Sequence, residues 1–122
     1  MPPVLGTIII YARDTHVSAT FYSDYFGFHT NGEVNDGLIE LINPRGGASI
    51  LIHQAAKSVK LGQAGVKLSF DVENINDFIL SVRVKGLEFG SVHEANGYSF
   101  ANVKDPDGNS VSISSRKFRN TA

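Results

Sequence analysis

Cysteine is absent from all 122 residues of the chain. Its absence excludes a disulfide framework, a thiolate nucleophile and any Cys-based metal site, and makes a reducing compartment, the cytoplasm, the expected location. Charge of either sign is also in short supply: 11 Lys and Arg stand against 12 Asp and Glu, for a formal net charge of −1. The basic residues are scattered, so no nucleic-acid partner is expected, and the cluster Arg116, Lys117 and Arg119 reads as a solvated tail. Long hydrophobic runs are missing too. The apolar stretch in the opening MPPVLGTIIIYAR lacks a basic leader and falls far short of the ~20 residues that cross a bilayer. It reads as a strand, and no membrane partner is expected. A chain of this length is ordinary for one domain that buries its own core.

What is present is a repeat. TIIIYA at Thr7 to Ala12 and KLSFDV at Lys67 to Val72 both read as strands, sixty positions apart, and each runs into a capped helix. For the first helix Asp14 is the expected N-cap. Val17, Phe21, Tyr22, Tyr25 and Phe26 form an apolar stripe, and Gly27 is the stop. For the second, Asn74 or Asn76 caps, Ile75, Phe78, Ile79 and Val82 form the stripe, and Gly86 stops it. Short strands follow in each half, roughly Phe28 to Val34, Gly37 to Ile42 and Ala48 to His53, then Phe89 to Ala95, Tyr98 to Val103 and Ser110 to Ser114. The turns NPRGG at Asn43 to Gly47 and DPDGN at Asp105 to Asn109 hold equivalent places before the last strand of each half. The reading is α+β: a single domain over 1–122 made of two βαβββ modules, about 4–55 and about 66–116. A linker occupies about 56–65 and a tail 117–122.

The residues FYSDYFGF at Phe21 to Phe28, the strand, Arg13-Asp14 and helix before them, and FANVKDPDGN in the second half together carry a resemblance. The chain resembles the vicinal oxygen chelate superfamily, which includes glyoxalase I, bleomycin-resistance proteins, fosfomycin-resistance enzymes and extradiol dioxygenases. The likeness runs nearly end to end. It implies two modules whose strands curl into a cupped mixed sheet with ligand or metal inside. It also implies a homodimer, since small members of the superfamily pair. None of the motifs is catalytic, because the aromatics pack a helix and DPDGN makes a turn, so they speak to fold before function.

Strand alternation sorts the side chains that would face the cup. Leu68, Phe70 and Val72 belong under a helix, which leaves Lys67, Ser69 and Asp71 opposite. Val111 and Ile113 go to the core and Ser112 looks the other way with Ser110 and Ser114. The first strand puts Ile8 and Ile10 inward and Thr7, Ile9 and Tyr11 in the cup. Leu51 and His53, with Ser49, join them, and Tyr98, Phe100 and Asn102 complete the candidate ligand-binding set.

Metal-dependent members of the superfamily place a His, Gln or Glu near the start of the first strand of each half and a Glu in the last strand of each. Carried over, those positions are Thr7, Lys67, Ser112 and Leu51 or Ile50, none of them a conventional ligand for a hard or borderline divalent ion. No metal and no cofactor is expected, and the metal-dependent chemistries of the resemblance lose their Lewis acid. A relocated site would draw on His53, Asp71 and Glu40. Lys67, directed into a pocket with Tyr11, Tyr98 and Phe100, would bind an anionic or carbonyl-bearing ligand or, desolvated, act as base or nucleophile. Alternatively it snorkels from the rim or pairs with Asp71. His93 and Glu94 point to opposite faces of a strand and read as surface, as do His16 and His29.

Three function classes follow. The leading one is a metal-independent small-molecule binding protein of bleomycin-resistance-like type, holding a planar or polar organic ligand. No strongly acidic groove suited to a cationic glycopeptide is evident, so bleomycin itself is not the expected ligand. The second is a glyoxalase-like lyase or isomerase, or a dioxygenase-type enzyme, with a relocated metal or Lys67, His53 or Tyr98 as acid or base. The third is an assembly protein whose cup is vestigial.

Overall fold

Asp14 and Gly27 bracket the first helix as their chemistry predicts. In the computed structural model, which describes residues 1–120, Asp14 is extended and its carboxylate accepts from the backbone N–H groups of His16 and Val17 at 3.0 and 3.2 Å. Helix α1 (Thr15–Phe26) then ends at Gly27, whose φ of 77° lies in the left-handed region and whose N–H donates to Ser23 O. The buried face differs from the expected stripe. Thr15, Ser18, Ala19, Phe21 and Tyr22 are buried, whereas Val17 is 50% exposed. The small Ser18 and Ala19 bring the helix backbone close to its sheet, a placement that apolar periodicity alone does not read.

The chain divides into two compact units, Met1–Leu61 and one that begins at Gly62. In the first, β1 (Thr7–Ala12), β2 (Leu38–Leu41) and β3 (Ser49–Gln54) form a mixed sheet of order β1-β3-β2. β1 and β3 run parallel, so the chain must cross over between them, and α1 lies in that connection. Ile10, Ala12, Ile39, Leu41, Ile50 and Ile52 form the buried face on which α1 packs. In the second unit, β4 (Lys67–Asp71), α2 (Ile75–Arg83), β5 (His93–Glu94), β6 (Ser99–Lys104) and β7 (Ser110–Ser114) build a mixed sheet of order β4-β7-β6-β5. Asn74 caps α2 by accepting from Asp77 N at 3.0 Å. Gly86, at φ 102°, turns the chain out as Leu87 N–H donates to Val82 O and its own N–H to Arg83 O. The fold is thus α+β, with two helices and two mixed sheets.

Two expected strands are corrected. The segment 28–34 is no regular strand. His29 pairs with Ile42, and Asn35 closes a hairpin on Leu38 through Asp36 (φ 55°) and Gly37 (φ 77°), but the register slips by two residues between those points. The cause is local: Thr30 Oγ1 accepts from Gly32 N and Asn31 Oδ1 accepts from Glu33 N, so side chains take donors that a ladder would need. The segment 89–95 shrinks to His93–Glu94 through a change of register. Gly90 donates to Asn102 O one residue out of register with the His93–Phe100 pair, which marks a bulge at Ser91 and Val92.

The DPDGN turn behaves as its residues require. Asp105 is 5% exposed and its carboxylate accepts from Asp107 N, Asn109 N and Asn109 Nδ2, each at 2.9 Å. Gly62 lies against this turn at φ 76°, where an added Cβ would come within 2.6 Å of Asp107 O, so this contact requires glycine.

Candidate functional site

In each unit the sheet face opposite that unit's own helix keeps most of its side chains accessible, and cross-strand register collects them into rows. In the first unit Tyr11, His53 and Leu38 form one row, Ile9, Leu51 and Glu40 the next, and Thr7 with Ser49 the last. Ile9 and Tyr11 are 52% and 49% exposed, large apolar surface kept in water on an otherwise well-buried sheet. The Tyr11 and His53 rings lie 5.0 Å apart. His53 Nδ1 is 2.8 Å from Gln54 O, so that nitrogen donates and the neutral ring keeps Nε2 as its acceptor.

In the second unit the rows are Lys67, Ser110 and Lys104, then Ser69, Ser112 and Asn102, then Asp71, Ser114, Phe100 and His93. Lys67 does not pair with Asp71, which stands at the far end of β4, about 13 Å along the strand. Its Nζ donates instead to Asn102 Oδ1 at 3.0 Å and sits 5.9 Å from the Phe100 ring centroid. Phe100 stacks with His93 at 5.1 Å and lies 6.4 Å from Tyr98, which precedes β6. Ser112 is buried at 3% exposure, and its hydroxyl meets Ser69 Oγ at 3.2 Å; it supports Ser69 more than it presents a surface. The candidate residues therefore fall into two sets, five in the first unit and seven in the second.

Sequence reading missed the concavity of the first unit. The bulged segment from His29 to Asp36 and the side chains of Leu38, Glu40, Ile42 and Leu51 line an open depression of about 630 Å³. Glu33, Asp36 and Glu40 line it, so this depression is acidic where no acidic groove was expected. The signal was partly available: N-D-G at Asn35 to Gly37 is a strong short-hairpin sequence, but the depression depends on the bulge before it.

The superfamily of the resemblance includes metal enzymes, and the residues at the corresponding positions do not fit an ion. Thr7 and Ser112 offer neutral hydroxyls, Leu51 has no donor atom, and the ammonium of Lys67 is itself a cation engaged with Asn102. In the β2–β3 register Glu40 stands opposite Leu51, not His53. Among the described residues no group of three or more His, Asp or Glu is placed to hold a metal ion, and no helix is long and apolar enough to cross a membrane.

Comparison with known proteins follows the same lines. No curated protein matches the sequence. Among solved structures, a virulence protein from Salmonella typhimurium is 23% identical with a TM-score of 0.74, the match covering 93% of this chain and 97% of that one. Lactoylglutathione lyase from Agrobacterium tumefaciens is 19% identical, with 97% of both chains covered and a TM-score of 0.74. TnmS3, an antibiotic binding protein from Streptomyces, is 14% identical, with 93% and 94% covered and a TM-score of 0.75. At these identities the likeness is one of fold, and an enzyme and a binding protein share it. The Glyoxalase/Bleomycin resistance protein/Dioxygenase superfamily model matches residues 4–113, and the chain belongs to that superfamily.

Proposed function

We propose that this chain is a metal-independent small-molecule binding protein, which holds a planar or polar organic ligand against the open faces of its sheets. The observation that carries this reading is the pairing of accessible aromatic and aliphatic surface with fixed polar groups on the same sheet face. Tyr11 and Ile9 stand beside His53 and Glu40, and Phe100 beside Lys67 and Asn102. Aromatic faces supply contact area at little entropic expense, and the few polar groups orient the guest. The concavity of about 630 Å³ in the first unit lies within the range of ligand pockets, roughly 300–1,000 Å³. The chemistry of the ligand positions supports the metal-free part of the proposal, since hydroxyls, an isobutyl group and an ammonium replace the donors a divalent ion needs. Residence in the cytoplasm as a homodimer belongs to the same proposal.

The test is a thermal-unfolding screen of the purified chain against small aromatic and anionic compounds, followed by titration of the hits. Phe100→Ala is expected to weaken a ligand bound at the second sheet by ~1–2 kcal/mol with the fold intact. An unchanged affinity would remove Phe100 from the binding surface.

A further inference from the structure

We propose that the open face of the second sheet is a subsite for an aromatic oxyanion, a flat ring carrying a carboxylate or phosphate group. This deepens the binding reading above and rests on it. The row Lys67–Ser110–Lys104 places two ammonium groups on one face of β4 and β6 with a serine of β7 between them, their Cα atoms about 10 Å apart. Both side chains are long enough to converge over Ser110, and Lys104 Nζ already lies 2.9 Å from Ser110 Oγ. Neither ammonium is paired with a carboxylate among the described residues; Lys67 has the neutral Asn102 Oδ1 as its partner and Lys104 the neutral Ser110. Each therefore keeps its full charge available for an incoming anion.

The aromatic half of the guest is matched by the third row. Phe100, with His93 stacked on one side and Tyr98 nearby, is half-buried and lies under the Lys67 ammonium. A ring laid beside Phe100 would carry its anionic substituent toward Asn102, one row away, and the Lys67 ammonium that Asn102 holds. Asp71 is the one carboxylate on these three rows. It stands at the opposite end of β4 from Lys67, so it repels the anionic end of a guest from that side and sets the direction in which the guest lies.

The experiment is a titration of isotopically labelled full chain, followed by amide chemical shifts, with four probes of one shape: naphthoate, naphthyl phosphate, the neutral naphthamide and naphthylmethylammonium. The expected result is saturable binding of at least one of the two anions, with shifts centred on Lys67, Asn102, Lys104 and Ser110 and an affinity that falls as salt rises. Which anion binds tighter names the oxyanion source. Lys67→Met and Lys104→Met should each weaken it about threefold, and the pair about tenfold, with a smaller loss for the naphthamide. Both side chains are exposed, so the variants should melt with the parent. If naphthamide binds this face as tightly as the anions and the double variant changes nothing, the oxyanion subsite is wrong and the general binding reading stands. If no probe of any charge saturates at this sheet, the oxyanion subsite is wrong, and the compound screen above decides the general binding reading separately.

Discussion

Tyr22→Ala is expected to destabilise the chain by about 3–5 kcal/mol, the range for deleting a large buried ring, and to lower its melting temperature by roughly ten degrees or more. Tyr22 is fully buried on the sheet side of α1. Its ring meets Phe21 edge-on at 5.0 Å, Phe28 edge-on at 6.4 Å and Phe26 at 6.1 Å, so truncation opens a cavity bounded by other rings. Those rings hang on one short helix and on the residue after its glycine stop, and they have little freedom to collapse inward. Denaturant unfolding of Tyr22→Ala beside Tyr22→Phe checks this. The phenylalanine variant keeps the ring and should retain most of the stability, and a loss below about 1 kcal/mol for the alanine variant would show the cluster to be dispensable.

Asp105→Ala is expected to destabilise by about 2–4 kcal/mol, because it strips a buried carboxylate from three N–H donors at once. The turn has no slack to compensate. Asp105 N also donates to Asn109 O, Gly108 N donates to Asp105 O, and the backbone of Gly62 lies against the same turn. Asp105→Asn separates charge from shape: its one carbonyl oxygen can accept from Asp107 and Asn109 backbone, whereas its amide would meet the Asn109 amide as a second donor. It should fall between the parent and the alanine variant in melting temperature. If alanine and asparagine behave alike, the bonds from the two backbone N–H groups contribute little and the oxygen facing Asn109 Nδ2 carries the turn.

The same locality explains how much of the molecule was legible in the sequence. Asp14, Gly27, Asn74 and Gly86 act through hydrogen bonds to residues two to five positions away, so the helix ends could be read from residue types alone. Alternation sorted Lys67, Ser69 and Asp71 from Leu68 and Phe70 because a strand's period is fixed by geometry. The strand expected at 28–34 failed because Thr30 and Asn31 bind the backbone two residues on, a competition that β-propensity does not weigh. The acidic concavity followed that bulge into obscurity. Val17 failed differently: its apolar side chain fits the helical stripe, but Ser18 and Ala19 let the backbone approach the sheet. Lys67's bond to Asn102 required the register of three strands, since β7 lies between β4 and β6. The alternative pairing with Asp71 looked as good on parity alone.

Binding of an organic guest without a metal is checked by thermal unfolding of chelator-treated chain with and without Ni²⁺, Zn²⁺, Mn²⁺ and Fe²⁺. A specific ion at about 100 times its dissociation constant adds ~2.7 kcal/mol, a shift of several degrees in a domain of this size. No saturable shift is expected with any of the four, because Thr7, Leu51, Lys67 and Ser112 cannot replace the donors such an ion takes. A saturable upward shift with one of them would contradict metal-free binding and make a metal enzyme the better reading, with His53 and Glu40 the first residues to replace.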